Sequence, residues 1–119
     1  MKVKCFEDLI AWKKAQELAI NLYDVFKNNK DFSFKDQILR AVVSISNNIA
    51  EGFDRNSTTD FSRFLYIAKS SCSEVKSMLY LSKQLNYITE EKSNELIHKS
   101  VEISKIITGL INSLKKFNK

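Results

Sequence analysis

The sequence predicts an all-α protein, an antiparallel up-down-up-down four-helix bundle. Three observations carry that prediction. The 119 residues include no proline and only two glycines, so the chain lacks most of the residues that tight turns and long loops use. Apolar residues recur at three- and four-residue steps through four separate segments, which is the period of an amphipathic helix. Three connections of only a few residues join the segments, and such short links force consecutive helices to lie antiparallel and side by side.

The first segment runs from about Glu7 to Lys27, with Ala11, Trp12, Ala15, Leu18, Ala19, Leu22, Val25 and Phe26 as its apolar positions. Asn28-Asn29-Lys30 ends it. Leu18 and Val25 flank the line of Trp12, Ala19 and Phe26, so this helix carries more apolar surface than one seam needs. Either its core face is wide or it has a second face for another subunit. Ser33-Phe34-Lys35-Asp36 has the form in which a serine side chain caps amides at a helix start and the acid suits the positive end of the helix dipole. The second helix follows, with Ile38, Val42, Ile45, Ile49 and Phe53 on one face, and weakens at Gly52 and Asp54-Arg55-Asn56.

Ser57-Thr58-Thr59-Asp60 repeats the cap ahead of a third helix. Its apolar face is Phe61, Phe64, Leu65, Ala68, Cys72, Val75 and Leu79, and if it reaches Leu85 it is roughly 40 Å long. A turn at Asn86-Tyr87-Ile88 and a cap at Thr89, with Glu90 and Glu91 in the first turn, open the fourth helix. Leu96, Ile103, Ile107, Leu110 and Leu114 form its stripe. Gly109 costs ~1 kcal/mol in a helix interior and is therefore expected to mark a close approach of two helices.

One domain over residues 1–119 is expected, because a chain of this length builds a single core. A 44% hydrophobic, 28% charged composition excludes a disordered tail protein and a membrane-embedded one. The lysines at the N-terminus meet Glu7 and Asp8 at once, which is no signal peptide, and no window approaches the ~20 apolar residues of a membrane span. A cytoplasmic location without a membrane partner follows as the expectation. Cys5 and Cys72 are read as reduced thiols, Cys72 in the core and Cys5 in a loose terminus.

Four-helix bundles often hold di-iron sites, and Glu95-x-x-His98 on the fourth helix has the form of one ligand pair. Such a site needs two Glu-x-x-His pairs and two further inward glutamates. With one histidine in the chain the second pair cannot exist within a protomer, and His98 is read as a surface residue. The lone histidine also argues against a Ser-His-Asp triad, and there is neither a Gly-rich phosphate loop nor a Cys-x-x-Cys pair. The expectation is no enzyme, no cofactor and no metal.

Two polar stripes remain. On the second helix, Gln37, Arg40, Ser44, Asn48, Glu51 and Arg55 share one face, which suits a solvated surface or a hydrogen-bonded contact between helices or subunits. On the third, Tyr66, Lys69, Ser73, Lys76, Tyr80, Lys83 and Tyr87 follow alternating steps of three and four, with Asp60 and Glu74 on the opposite flank. Lysine interleaved with tyrosine binds polyanionic strands, through phosphate neutralisation and ring stacking. Tyrosines packed at a helix edge beside solvated lysines give the same pattern. Lys105, Lys115, Lys116 and Lys119 form a second basic cluster, with no acid after Glu102. Part of that excess complements the helix dipole.

The segment Ser44-Ile45-Ser46-Asn47-Asn48-Ile49-Ala50-Glu51-Gly52-Phe53-Asp54-Arg55 resembles the signature of the 23S rRNA-intervening-sequence, or S23, proteins. The likeness extends to Phe6-Glu7-Asp8-Leu9 with Trp12-Lys13, to Gln37-Ile38-Leu39-Arg40-Ala41, to Phe64-Leu65-Tyr66-Ile67-Ala68-Lys69-Ser70-Ser71 with Glu74, and to Leu85-Asn86-Tyr87-Ile88. One departure is Ser46, where the family commonly has proline; serine is compatible with a continuous helix. The resemblance implies a four-helix bundle in a homopentameric ring, with Arg40, Ser44, Asn48, Glu51 and Arg55 as the family's recurring polar residues. A related group, the accessory variability determinants of diversity-generating retroelements, is similar in forming basic pentamers that bind nucleic acid and a reverse transcriptase. No catalytic residues carry over.

The expected function is a non-enzymatic homo-oligomeric scaffold, a pentamer by resemblance, that binds RNA or DNA electrostatically. Tyr66, Lys69, Lys76, Tyr80, Lys83, Lys105, Lys115 and Lys116 are its expected contacts. Trp12, Arg40, Ser44, Asn48, Glu51 and Arg55 are assigned to a subunit or helix interface. The alternative is an interaction ring that docks a protein partner, such as a reverse transcriptase, with no direct nucleic-acid role.

Overall fold

The computed structural model describes residues 3–117. A short 3-10 turn, Phe6–Asp8, precedes four α-helices: α1 (Ile10–Phe26), α2 (Phe32–Phe53), α3 (Thr58–Gln84) and α4 (Glu90–Phe117). Each helix packs on its sequence neighbours, and α1 closes the bundle against α4. The result is an all-α four-helix bundle measuring 48 × 20 × 20 Å. Its centre is the expected set of apolar stripes: Leu18 and Leu22 from α1, Ile38, Val42, Ile45 and Ile49 from α2, Leu65, Val75 and Leu79 from α3, and Leu96, Ile103 and Ile107 from α4 are all fully buried.

The helix starts differ from the sequence expectation at two places. The first helix does not begin at Glu7. Leu9 adopts extended backbone and is buried, so the chain bends there and α1 starts at Ile10. Phe6, in the preceding turn, packs edge-on against Trp12 with ring centroids 5.3 Å apart. Nor is Ser33 the cap of the second helix. The cap is Asp31, whose carboxylate accepts from the Phe34 amide at 3.2 Å, and Ser33 lies within the first turn. Asp31 wins because its second oxygen also accepts from the Tyr87 hydroxyl at 2.5 Å, across the end of the bundle. The Ser57 and Thr89 caps are as expected, accepting from the amides of Asp60 and Lys92 at 3.1 Å each.

On α1 the core line is Ala11, Ala15, Leu18, Leu22 and Phe26, with Trp12 and Ala19 half-buried at its edge. Ile20 and Tyr23 remain 66% and 52% exposed on the other side. α2 runs without interruption through Ser46, which is buried and accepts from Gln16 Nε2 at 3.0 Å. α3 ends in a Schellman turn: Asn86 has φ 61°, its amide donates to the Lys83 carbonyl, and the Tyr87 amide donates to that of Ser82. Cys72 sits in the core, where burial pushes its thiol up to about 12, while Cys5 is partly exposed and donates to Asp8 Oδ2 at 3.2 Å. Both are free.

The glycines reverse the expectation for Gly109. A Cβ there would meet nothing within 4 Å, so Gly109 marks no close approach; it lies on an exposed stretch of α4. The close approach is at Gly52, where α2 passes the Phe64 side chain of α3. Gly109→Ala is expected to stabilise the bundle by ~1 kcal/mol, because it restores helix propensity at no steric cost. A urea midpoint at or below that of the parent would contradict this.

The Asp31–Tyr87 clasp carries a pH signature. The hydroxyl of Tyr87 holds the Asp31 carboxyl below its ordinary 3.8, helped by the Phe34 amide. The same bond, with burial and the Asp31 charge, raises Tyr87 above 10.0. A carboxylate with a lowered folded-state pKa stabilises fully above 3.8, and that contribution disappears as pH falls through the folded value. Tyr87→Phe is therefore expected to lower thermal stability at pH 7, with the deficit shrinking below pH ~4. A deficit independent of pH would assign the effect to ring packing against Phe34, 5.3 Å away.

Candidate nucleic-acid interface

The basic face forms where α3 and α4 meet. α3 presents Tyr66 and Tyr80, 47% and 54% exposed, with Lys76 exposed and Lys69 half-buried between them. Lys105 reaches the same face from α4 and lines one depression with Lys76. The sequence placed Lys105 in a separate cluster, because nothing in linear spacing sets the register between two helices. That register is fixed by core packing and by contacts such as the bond from Ser93 Oγ to the Leu79 carbonyl at 3.2 Å.

The acids nearest in sequence have partners on other helices, although Glu102 also lines a depression beside Lys105. Glu74, on the far flank of α3, accepts from Gln37 of α2 at 3.5 Å. Glu102, one turn before Lys105, is paired with Lys14 of α1 at 3.3 Å. Lys69, Lys76 and Lys105 consequently form no ion pair among the described residues. The depression that Lys76 and Lys105 line has two lysines and no carboxylate in its lining.

Two members of the predicted stripe behave differently. Lys83 donates to Glu90 at 2.7 Å across the α3–α4 turn, and that lysine holds the Glu90 carboxyl below its usual range. Its charge is accordingly paired where it stands. Tyr87 lies beyond the end of α3, because the left-handed Asn86 breaks the period, and its hydroxyl is committed to Asp31. Lys115 and Lys116 are exposed in the last turn of α4, at the far end of the bundle from Lys83. Lys119 lies outside the described residues.

The α2 stripe splits into inward and outward parts. Ser44 shares a 3.0 Å hydrogen bond with Ser71 of α3, and Asn48 Nδ2 donates to both the Ser44 carbonyl and its hydroxyl. These residues serve a contact between helices of one protomer. Arg40 faces outward and donates to Asp36 at 3.0 Å. Glu51 and Arg55 pair loosely at 3.7 Å, while the Arg55 guanidinium lies 4.7 Å from the Phe64 ring centroid. Arg63 covers the same ring at 4.9 Å, a pair of contacts that α2 periodicity alone did not reveal. Both arginines precede Phe64 in the chain, Arg63 as its immediate neighbour and Arg55 nine positions earlier, so only the α2–α3 packing brings Arg55 to the ring.

His98 is exposed, and its partner Glu95 is paired with Lys92 at 3.2 Å. Among the described residues no group of three or more His, Cys, Asp or Glu side chains is placed to hold a metal ion. No helix among them is long and apolar enough to cross a membrane.

Comparison with known proteins gives the arrangement a context. The sequence model of the 23S rRNA-intervening sequence protein family matches residues 7–109. A crystal structure at 1.70 Å resolution, of a protein with unknown function from the S23 ribosomal protein family of Bacteroides thetaiotaomicron VPI-5482, superposes with a TM-score of 0.80. That protein is 33% identical, and the match covers 86% of this chain and 98% of that one. A search of curated proteins found no match. With 103 residues inside the family match and the same four-helix fold, the chain belongs to the 23S rRNA-intervening sequence protein family.

Proposed function

We propose that the protein is a non-enzymatic homo-oligomeric scaffold whose α3–α4 faces bind RNA or DNA through phosphate neutralisation. The observation that carries this reading is the convergence of Lys76 and Lys105 on one depression, with Lys69 two turns earlier on α3, none of the three paired with a carboxylate among the described residues, and with the rings of Tyr66 and Tyr80 exposed on α3. Unpaired lysines release counterions on meeting phosphate, and exposed rings offer a stacking surface. Lys115 and Lys116 extend the same positive side along α4, and Lys83 contributes once Glu90 yields.

Assembly multiplies the effect. Exposed apolar residues on α1 (Ile20, Tyr23) and α3 (Ile67, Leu81) supply contact surface for other copies. Five copies at +5 each carry +25, so weak contacts add by multivalency. Native mass spectrometry should return about five times the 13.8 kDa chain; a monomer would refute the ring. The contacts named here are to phosphate rather than base edges, so little sequence preference is expected.

Salt titration tests the binding. Affinity for a structured RNA, read by fluorescence anisotropy, is expected to fall roughly a hundredfold between 50 and 200 mM salt for a contact with about four phosphates. An affinity indifferent to salt would sink the reading. The same exposed α1 side chains favour a second one, a ring that docks a protein partner such as a polymerase. Retention of that partner after nuclease treatment, with no RNA binding by the purified protein, would select it.

A further inference from the structure

The α3–α4 seam contains a notch of about 140 Å³ between Lys76 and Lys105. Cys72 and Ser73 of α3 and Ser100, Val101 and Ser104 of α4 complete it. The notch exists because serines occupy positions where larger side chains would fill the seam. Their hydroxyls are not equivalent. Ser100 is buried and donates to the Ile97 carbonyl at 2.8 Å, so its proton is committed. The hydroxyls of Ser73 and Ser104 form no hydrogen bond among the described residues and are open to solvent.

Charge and shape therefore favour one class of ligand. Two lysine side chains line a small depression whose lining includes no carboxylate; Glu74 and Glu102, the acids closest to them in sequence, are engaged by Gln37 and Lys14. An anion in the notch is attracted by both lysines at once. A carboxylate confines its acceptor sites to one plane, whereas a phosphate group spreads its oxygens tetrahedrally, which suits donors arriving from two helices.

We propose that the Lys76–Lys105 notch is a discrete phosphate-ester binding site, in which the two ammonium groups neutralise one phosphate and the hydroxyls of Ser73 and Ser104 donate to its oxygens. The assignment of that phosphate to a nucleic-acid backbone rests on the function proposed above. On that reading the notch fixes the register of the strand on a surface that otherwise grips it without preference.

The test uses the intact protein and inorganic phosphate as the probe. In an NMR titration at constant ionic strength with chloride as the control anion, the amides of Ser73, Lys76, Ser104 and Lys105 should shift together. Ser104→Val should weaken phosphate binding about tenfold, and Ser104→Thr, of the same shape with the hydroxyl restored, should retain it. Thermal melts of the two variants establish that both are folded. Lys105→Gln should reduce the salt slope of RNA binding by about one. Phosphate shifts spread evenly over all lysine-bearing surfaces, or equal phosphate affinity in the valine and threonine variants, would overturn the notch. RNA binding that persists in either of those cases leaves the wider reading intact. Phosphate seated in the notch of a protein that binds no RNA supports the site and refutes the wider reading.

Discussion

Gly52→Ala is expected to destabilise the bundle by about 2 kcal/mol, lowering its melting temperature by roughly 5–10 °C. The reason is steric and not conformational, since no glycine here has a positive φ. A Cβ at position 52 would lie 2.6 Å from the Phe64 Cβ and 3.1 and 3.3 Å from atoms of Phe61. The Phe64 Cβ is fixed to the α3 backbone, so it cannot swing aside, and the ends of α2 and α3 must separate. Separation loosens the Phe53–Phe61 edge contact, at 5.7 Å, and the arginine cover over Phe64. Overpacking of this kind costs ~1–3 kcal/mol, and the helix propensity gained by alanine offsets less than ~1 kcal/mol this close to a helix end. Differential scanning calorimetry beside Gly109→Ala provides the control, because that substitution has the opposite predicted sign. A melting temperature for Gly52→Ala equal to the parent's would show that the helices part without cost.

Simultaneous replacement of Lys69, Lys76 and Lys105 by glutamate is expected to abolish RNA binding at 100 mM salt. The loss should be at least a hundredfold, and the bundle should remain folded. Each reversal removes two positive charges, so the three take the protomer from +5 to −1. None of the three lysines has an ion pair among the described residues, and Lys76 and Lys105 are exposed, so the fold depends little on their charge. Lys83→Glu makes the informative comparison. That change breaks the pair with Glu90 and sets two carboxylates side by side, so it is expected to cost stability while reducing binding less than Lys76→Glu does. Circular dichroism melts and anisotropy on the same preparations separate the two effects. Full RNA affinity in the triple variant would remove the α3–α4 face from the binding mechanism.

The helix periods, the short connections and the Ser57 and Thr89 caps were all legible in the chain, because each depends on residues within a few positions of one another. Where the sequence reading failed, a distant residue decided. Asp31 displaced Ser33 as a cap once Tyr87, 56 positions away, was brought to its other oxygen. Gly109 looked like a contact because glycine is costly in a helix, but only the position of a neighbouring helix distinguishes a crowded glycine from an open one. Gly52, the crowded one, had been read as a weakening of α2. The candidate interface was half visible: the α3 stripe follows from spacing within one helix, whereas its union with Lys105 requires the α3–α4 register.

The sequence by itself determined four amphipathic helices, their antiparallel order and their basic excess, since composition and local periodicity encode these, while the family showed in the motif from Ser44 to Arg55. Only the tertiary structure decided which lysines are free. Lys83 and Lys76 are equivalent by spacing on α3, yet Glu90 crosses the turn to pair with Lys83, whereas Glu74 and Glu102 are drawn to partners on α2 and α1. Electrostatic interaction depends on distance in space, and packing of the apolar core sets those distances between helices that the chain order leaves unspecified.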